Sequence, residues 1–282
     1  MNNYPNALSK TLFYIILGLI QGLTEFLPVS SSGHLALAKS ISGISTDGGV
    51  AFDLLLHLGT LCAVIVFLRK DVLALLSGTL DIIKRPFTGR IKNAPNDKER
   101  LASLTAFATL PLFAVKALSL DKTVESVGES ISFVGCVLIV NALLLAFADK
   151  NARGDKSISD LRWYHALGIG FFQALAVFPG LSRSGATIAA GLLSSLSRKD
   201  ALRLSFVISL PAILGACVLK LPELDFSGAN ALPYTLGALT AFAVGLCAMG
   251  VLKKISQKSN YKIFSVYCLA AGIAAVVLGI VK

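Results

Sequence analysis

Two charged residues stand in stretches that are otherwise apolar, Glu25 and Arg183. A charge at the centre of a bilayer costs at least about 2.5–3.5 kcal/mol on insertion scales, so such residues are kept for a purpose. Gln21, Ser30, Ser31, Ser32 and His34 surround Glu25, and Ser182, Ser184 and Thr187 surround Arg183. Gln21 and Glu25 are four residues apart and share one helix face; Ser31 and His34, three apart, can touch where a helix has begun. Pro28, Gly33, Pro179, Gly180 and Gly185 interrupt both stretches. Such breaks free backbone N–H groups and aim helix N-termini into the loops, which is a ready site for phosphate. The arginine adds a planar fork suited to a phosphoryl group. Plainer roles exist for each residue: a structural ion pair, serine caps, an interface histidine for His34, and a helix-bridging amide for Gln21.

The elements that must hold these residues follow from composition. The chain has 282 residues, 55% hydrophobic and 15% charged, with mean hydropathy +0.74. Soluble domains run nearer 45–50% apolar and 25% charged. Apolar runs recur between short charged loops, which excludes a disulfide scaffold, a disordered tail and an ordinary cytosolic enzyme. The expected fold is an all-α polytopic membrane protein. About six segments have spanning length, near 50–68, 101–118, 131–148, 201–219, 234–252 and 263–281. Val72 to Ile83 is expected at the membrane interface. Cys62, Cys136, Cys217, Cys247 and Cys268 lie in apolar runs without a CxxC pair, so all five are expected as buried packing residues. Leu12 to Ile20 is read as part of the first helix, because no A-x-A cleavage site follows it.

Leu12–Leu27 and Tyr164–Phe178 are stopped by Pro28 and Pro179. Each is too short to span comfortably, at roughly 22–24 Å of helix. Both are expected as re-entrant helix–loop–helix units, tolerated only where protein or a watery cavity covers the broken backbone. The two also match each other without gaps at an offset of 152 residues. Residues 21–33 and 173–185 share six of thirteen positions, including Gln21/Gln173, Ser30/Ser182, Ser32/Ser184 and Gly33/Gly185. This points to a single membrane domain built from two repeat halves, near 1–148 and 162–282, with a site at their interface.

The net charge of +10 has a membrane reading, since Lys and Arg gather in cytoplasmic loops. Nineteen basic residues fall in one set of loops and six in the other; the remaining one is Arg183. Six spans with both ends outside satisfy that split. The two broken units then enter from opposite sides, giving an inverted-topology repeat.

The stretch from Gln21 to His34, Gln-Gly-Leu-Thr-Glu-Phe-Leu-Pro-Val-Ser-Ser-Ser-Gly-His, resembles the first signature of undecaprenyl-diphosphate phosphatases, also called bacitracin-resistance proteins. Phe178 to Thr187 resembles their second signature, and Ser205 to Ala216 is similar to the segment that follows it. The resemblance covers nearly the whole chain. It implies hydrolysis of undecaprenyl diphosphate to the monophosphate and phosphate at the outer face of the bacterial cytoplasmic membrane. That recycles the lipid carrier for peptidoglycan and confers bacitracin resistance. It also implies a divalent cation, magnesium or calcium. The family tolerates Gln or Glu at the position of Gln21, and this chain has Gln, which weakens a two-carboxylate scheme. The expected partners are a polyprenyl diphosphate lipid and the membrane, with no nucleic acid; a homodimer is one compatible assembly.

On that resemblance the roles divide as follows. Arg183 clamps the phosphoryl oxygens with Ser182, Ser184 and Thr187. Ser31 is the candidate nucleophile, with His34 as general base. Glu25 holds the metal or orients His34, assisted by Gln21; Ser30 and Ser32 bind substrate. Water activated by His34, or direct attack by His34, uses the same residues. His57, four residues after Asp53, is read as packing, and His165 as surface. Two other classes are weighed. A second lipid-phosphatase family needs a histidine six residues after the arginine and an acid four later, where this chain has Ala189 and Leu193. A transporter or flippase shares the broken-helix architecture, and phosphate release in detergent separates it from an enzyme.

Overall fold

The computed structural model describes residues 7–42, 49–89, 93–119, 124, 130–152, 154–221, 231–258 and 261–281. Arg90, Lys92, Lys122, Arg153 and Lys282 of the charge count lie outside them. The described α-helices are α1 (Ala7–Phe26), α2 (Ser31–Ser42), α3 (Gly49–Phe67), α4 (Arg69–Lys84), α5 (Asp97–Ala117) and α6 (Ile131–Lys150). They continue with α7 (Trp163–Leu175), α8 (Arg183–Leu193), α9 (Arg198–Lys220), α10 (Ala231–Lys258) and α11 (Lys262–Val281). A parallel bridge between Lys156 and Leu196 joins two loops.

Helices α5, α6, α9, α10 and α11 are long and apolar enough to cross a membrane, and α3 with α4 makes a sixth if that bent pair counts as one span. The chain is a multi-pass helical membrane protein. Helices α3 and α4 meet at 88°, so α4, which holds the 72–83 stretch, turns away from the direction of α3. Large apolar side chains such as Phe113, Leu143, Phe147 and Leu239 are exposed, as a hydrocarbon solvent permits. Cys217 and Cys268 are buried, but Cys62, Cys136 and Cys247 are exposed. The expectation of five buried cysteines fails for those three, because lipid does not penalise a small apolar residue on the outer face.

The two broken elements differ from their expected bounds. Helix α1 begins at Ala7 and has 20 residues, about 30 Å long. Ser9 and Lys10 end the apolar run but not the helix, since Ala, Leu and Lys all propagate one. Helix α7 is shorter than expected, at 13 residues. It ends at Leu175, and single turns carry the chain on to Leu181. Pro179 disfavours helix at the residue before it, and Gly180 takes φ +101°.

Contacts gather the basic residues at one end of the bundle. Arg100 donates to the Leu161 carbonyl, Arg203 pairs with Asp71, Arg198 pairs with Asp149, and the Ser256 hydroxyl donates to the Arg198 carbonyl. Helix α7 therefore starts at the basic end. Helix α1 starts at the other, because it runs alongside α10 in the same direction: Gly18 lies on Gly237 and Gly22 on Ala241.

These helix pairs approach closely through glycine, as membrane helices do. A Cβ at Gly18 would lie 2.2 Å from the Gly237 carbonyl oxygen, and one at Gly170 would lie 2.4 Å from that of Ala108 on α5. Gly18 and Gly170 are again separated by the repeat offset. Helices α6 and α11 meet the same way through Gly135 and Gly272. Because the opposing atoms are backbone, Gly170→Ala is expected to cost about 1–3 kcal/mol of stability. Gly168→Ala, two residues away with nothing within 4 Å, is expected to be neutral. Thermal unfolding of both variants in detergent checks this.

Candidate active site

The break between α1 and α2 meets the break between α7 and α8 inside the bundle. Glu25 is one residue from the end of α1, and its side chain is 2% exposed. Arg183 is the first residue of α8, and its Nη2 donates to Glu25 Oε1. The other carboxylate oxygen, Oε2, accepts from the Ser31 hydroxyl at 2.7 Å and from Gln21 Nε2 at 3.0 Å. The sign of that last contact sets the Gln21 amide: its nitrogen must face the carboxylate. Gln21 Oε1 is then left buried without a hydrogen-bond partner. Gln21 Nε2 also lies 3.1 Å from His57 Nδ1, which sits 3.8 Å from Glu25 Oε2.

Both N-termini are capped in the same manner. Ser30 Oγ accepts from Gly33 N–H at 3.3 Å, and Ser182 Oγ accepts from Gly185 N–H at 3.1 Å. In each loop the capping hydroxyl also touches the second serine, Ser32 at 3.3 Å and Ser184 at 3.0 Å. The backbones differ: Ser30 has φ +72°, a left-handed conformation that costs a non-glycine residue free energy. The His34 ring and backbone nitrogens both bond the Ser30 carbonyl and hold it there. The two helix starts border a cavity of about 200 Å³ lined by Glu25, Ser30, Ser31, Ser32, Ser182 and Arg183, with His57, Thr24 and four apolar residues completing the wall. The positive ends of both helix dipoles thus face a space that suits an anion.

The structure brings Gln21, Glu25, Ser31 and Arg183 into one hydrogen-bonded group. It does not bring Ser31 to His34. A carbonyl only accepts, so His34 Nδ1 carries the proton toward Ser30 O at 2.7 Å. His34 Nε2 lies 2.7 Å from the Tyr267 hydroxyl, and the two rings are nearly parallel. Ser184 donates to the Leu27 carbonyl at 3.1 Å, and Thr187 lies 2.7 Å from Ser205 Oγ beneath Arg183. These two contacts brace the loops and leave Arg183 as the α8 side chain at the cavity.

Asn141 ties the two breaks together. It is fully buried in the middle of α6. Its Nδ2 donates to the Pro28 carbonyl at 3.0 Å, and its Oδ1 accepts from Ser182 N–H at 3.2 Å. Sequence reasoning passed over it, although an amide inside the apolar run 131–148 was a visible signal. His57, expected as packing, lines the cavity instead, and Asp53, four residues before it, binds Lys39 at 2.9 Å. Nothing in the sequence singled out Tyr267. His165 is half-buried and accepts the Arg162 N–H at the start of α7.

Among the described residues no three His, Cys, Asp or Glu side chains cluster as a metal site. Glu25 is nonetheless a carboxylate on the cavity wall, whereas Gln21 turns its amide nitrogen to Glu25 and is not part of that wall. One carboxylate fits a magnesium-like ion, which takes few protein ligands and completes its shell with water and phosphate oxygens.

Asn141→Leu would leave the Ser182 N–H buried and unpaired, and the Pro28 carbonyl with the weak Cys268 thiol donor at 3.6 Å. It is expected to lose about 1–4 kcal/mol, roughly 1–3 kcal/mol for the unmet N–H and less for the carbonyl, read from unfolding in detergent.

A family model described as "Bacitracin resistance protein BacA" matches residues 14–274. The chain is 36% identical over 277 residues to an undecaprenyl-diphosphatase of Methanosphaera stadtmanae, covering 95% of this chain and 97% of that one. It is 40% identical over 273 residues to an undecaprenyl-diphosphatase of Desulforapulum autotrophicum, with 95% and 98% covered. An undecaprenyl-diphosphatase of Desulfosudis oleivorans is 42% identical over 262 residues, with 92% and 94% covered.

Proposed function

The chain belongs to the BacA family of bacitracin-resistance proteins, and we propose that it hydrolyses undecaprenyl diphosphate to undecaprenyl phosphate and phosphate. The observation that carries this reading is the Ser31–Glu25–Arg183 chain at a cavity flanked by two helix N-termini. A nucleophilic hydroxyl, a carboxylate that accepts its proton and a guanidinium for the phosphoryl charge are the parts that phosphoryl transfer needs. The relatives' names support the substrate.

In the free enzyme Glu25 occupies Arg183. The terminal phosphate of the substrate competes for that guanidinium, and its arrival releases the carboxylate. Glu25 then takes the Ser31 proton while Ser31 Oγ attacks the terminal phosphorus in line. The bridging P–O bond breaks with its electron pair on the departing undecaprenyl phosphate, which receives the proton from Glu25. Water then attacks the phosphoserine, passing its proton to Glu25; the Ser31 oxygen leaves phosphorus, and Glu25 returns that proton to it as phosphate departs. Arg183, with Ser182 and the loop N–H groups, holds the oxygens throughout. His34 is favoured as a brace: its tautomer shapes the Ser30 turn, and its free lone pair faces Tyr267. Glu25 would hold a divalent cation, which when bound neutralises diphosphate charge.

The same geometry favours an inverted-topology repeat with two re-entrant units. Helix α1 enters from the less basic end and α7 from the basic end, with matched caps and matched glycines at one offset. The cavity wall includes Ile213 and Ala216 on α9, which starts at the basic end with Arg198. That places the wall about 22 Å along the helix, nearer the less basic end. With the basic end cytoplasmic, the site opens outward, where it serves carrier recycling for peptidoglycan at the bacterial inner membrane and withstands bacitracin.

Phosphate release from undecaprenyl diphosphate in detergent tests the activity. Arg183→Ala is expected to lower turnover by roughly 10³-fold, and full activity would refute the assignment. Ser31→Ala is expected to abolish a phospho-enzyme trapped with substrate labelled in the terminal phosphate; a label persisting on His34 would move the nucleophile there.

A further inference from the structure

A second cavity, of about 370 Å³, opens at the bend between α3 and α4. It shares no lining residue with the site above. Its floor is apolar: Phe67, Leu68, Leu202 and Phe206, the last two buried. Its rim is basic: Lys70, Lys199 and Lys253, all exposed, with the Arg203–Asp71 ion pair at 2.5 Å between them. Lys253 leans over the Phe67 ring, 6.0 Å from its centroid. None of the three lysines has an ion-pair partner among the described residues. Arg203 and Asp71 cancel, so the rim carries an uncompensated charge of about three.

We propose that this pocket binds an anionic phospholipid of the leaflet at the basic end, with its phosphate among the three lysines and the start of its acyl chains on the phenylalanine floor. Neither half of the pocket suits a simpler ligand. A soluble phosphate would leave the apolar floor wet, and an uncharged tail would leave three like charges facing each other. An amphiphile with one anionic head satisfies both. The location agrees: the right-angle bend lays α4 across the end of α3, where a headgroup layer would lie. Basic pockets between membrane helices on the cytoplasmic side recognise anionic headgroups in this way. Lysine ammonium groups pair with the single negative charge of a phosphate diester as point charges. The proposal does not depend on the phosphatase reading.

Native mass spectrometry of the purified protein, titrated with phosphatidylglycerol, phosphatidylcholine or inorganic phosphate, tests it. Wild type is expected to keep one phosphatidylglycerol that phosphatidylcholine and inorganic phosphate do not displace. The triple variant Lys70→Gln, Lys199→Gln, Lys253→Gln is expected to bind phosphatidylglycerol roughly 10- to 100-fold more weakly, with unchanged phosphate release from a lipid diphosphate. Replacing the same three residues by arginine is expected to restore binding. If the triple glutamine variant fails to fold, Lys199→Glu alone is read the same way. Equal phosphatidylglycerol binding by wild type and the lysine-to-glutamine or Lys199→Glu protein overturns the site. Equal binding of phosphatidylcholine overturns the charge selectivity, and displacement by inorganic phosphate overturns a lipid occupant.

Discussion

The contact between Glu25 and Arg183 is the interaction on which the rest depends. Each charge sits in a segment that lipid would otherwise surround, and neither is tolerable there alone. Pairing them removes that penalty and fixes where the two broken helices must meet. It does so without consuming the groups that matter. Glu25 still accepts from Ser31 and Gln21, and Arg183 still borders the cavity. A buried pair of this kind contributes little net stability, because desolvation offsets attraction. In the proposed mechanism it holds two reactive groups in register until an anion arrives to separate them.

The surrounding fold reads as support for that meeting point. Asn141 satisfies a carbonyl of one break and an N–H of the other from a single side chain. Serine caps settle the first N–H groups of α2 and α8, which would otherwise be orphaned away from water. Outside the centre, glycine contacts let α1 lie on α10 and α7 on α5 at backbone distance. These pairings explain how two interrupted elements, one of them only 13 residues long, stay embedded. Their exposed backbone is covered by protein, as irregular structure at membrane depth requires.

Much of this was legible in the residues. The apolar runs located the spans, because spanning length is a property of composition. Glu25 and Arg183 stood out because their surroundings made them costly, and the repeated Gln, Ser, Ser and Gly marked two breaks of similar sequence. What could not be read was partner choice across the bundle. Ser31 and His34 are three apart on a helix that does begin at Ser31, yet the ring is drawn back to the Ser30 carbonyl by the left-handed turn there. That turn has no glycine to announce it. Asn141 and Tyr267 reach the first break only through tertiary packing, from helices more than a hundred residues further along the sequence. The early start of α1 escaped for another reason: hydropathy stops at Lys10, whereas helix propensity does not.

In the proposed mechanism Glu25 and the substrate phosphate compete for one guanidinium. Affinity for a non-hydrolysable methylene bisphosphonate analogue of the lipid, measured without divalent cations for wild type and Glu25→Gln, addresses this directly. Removing the competing charge should tighten analogue binding in the variant even though turnover is lost. Weaker binding by Glu25→Gln would contradict the account, because Glu25 would then be holding the substrate and not the arginine that receives it.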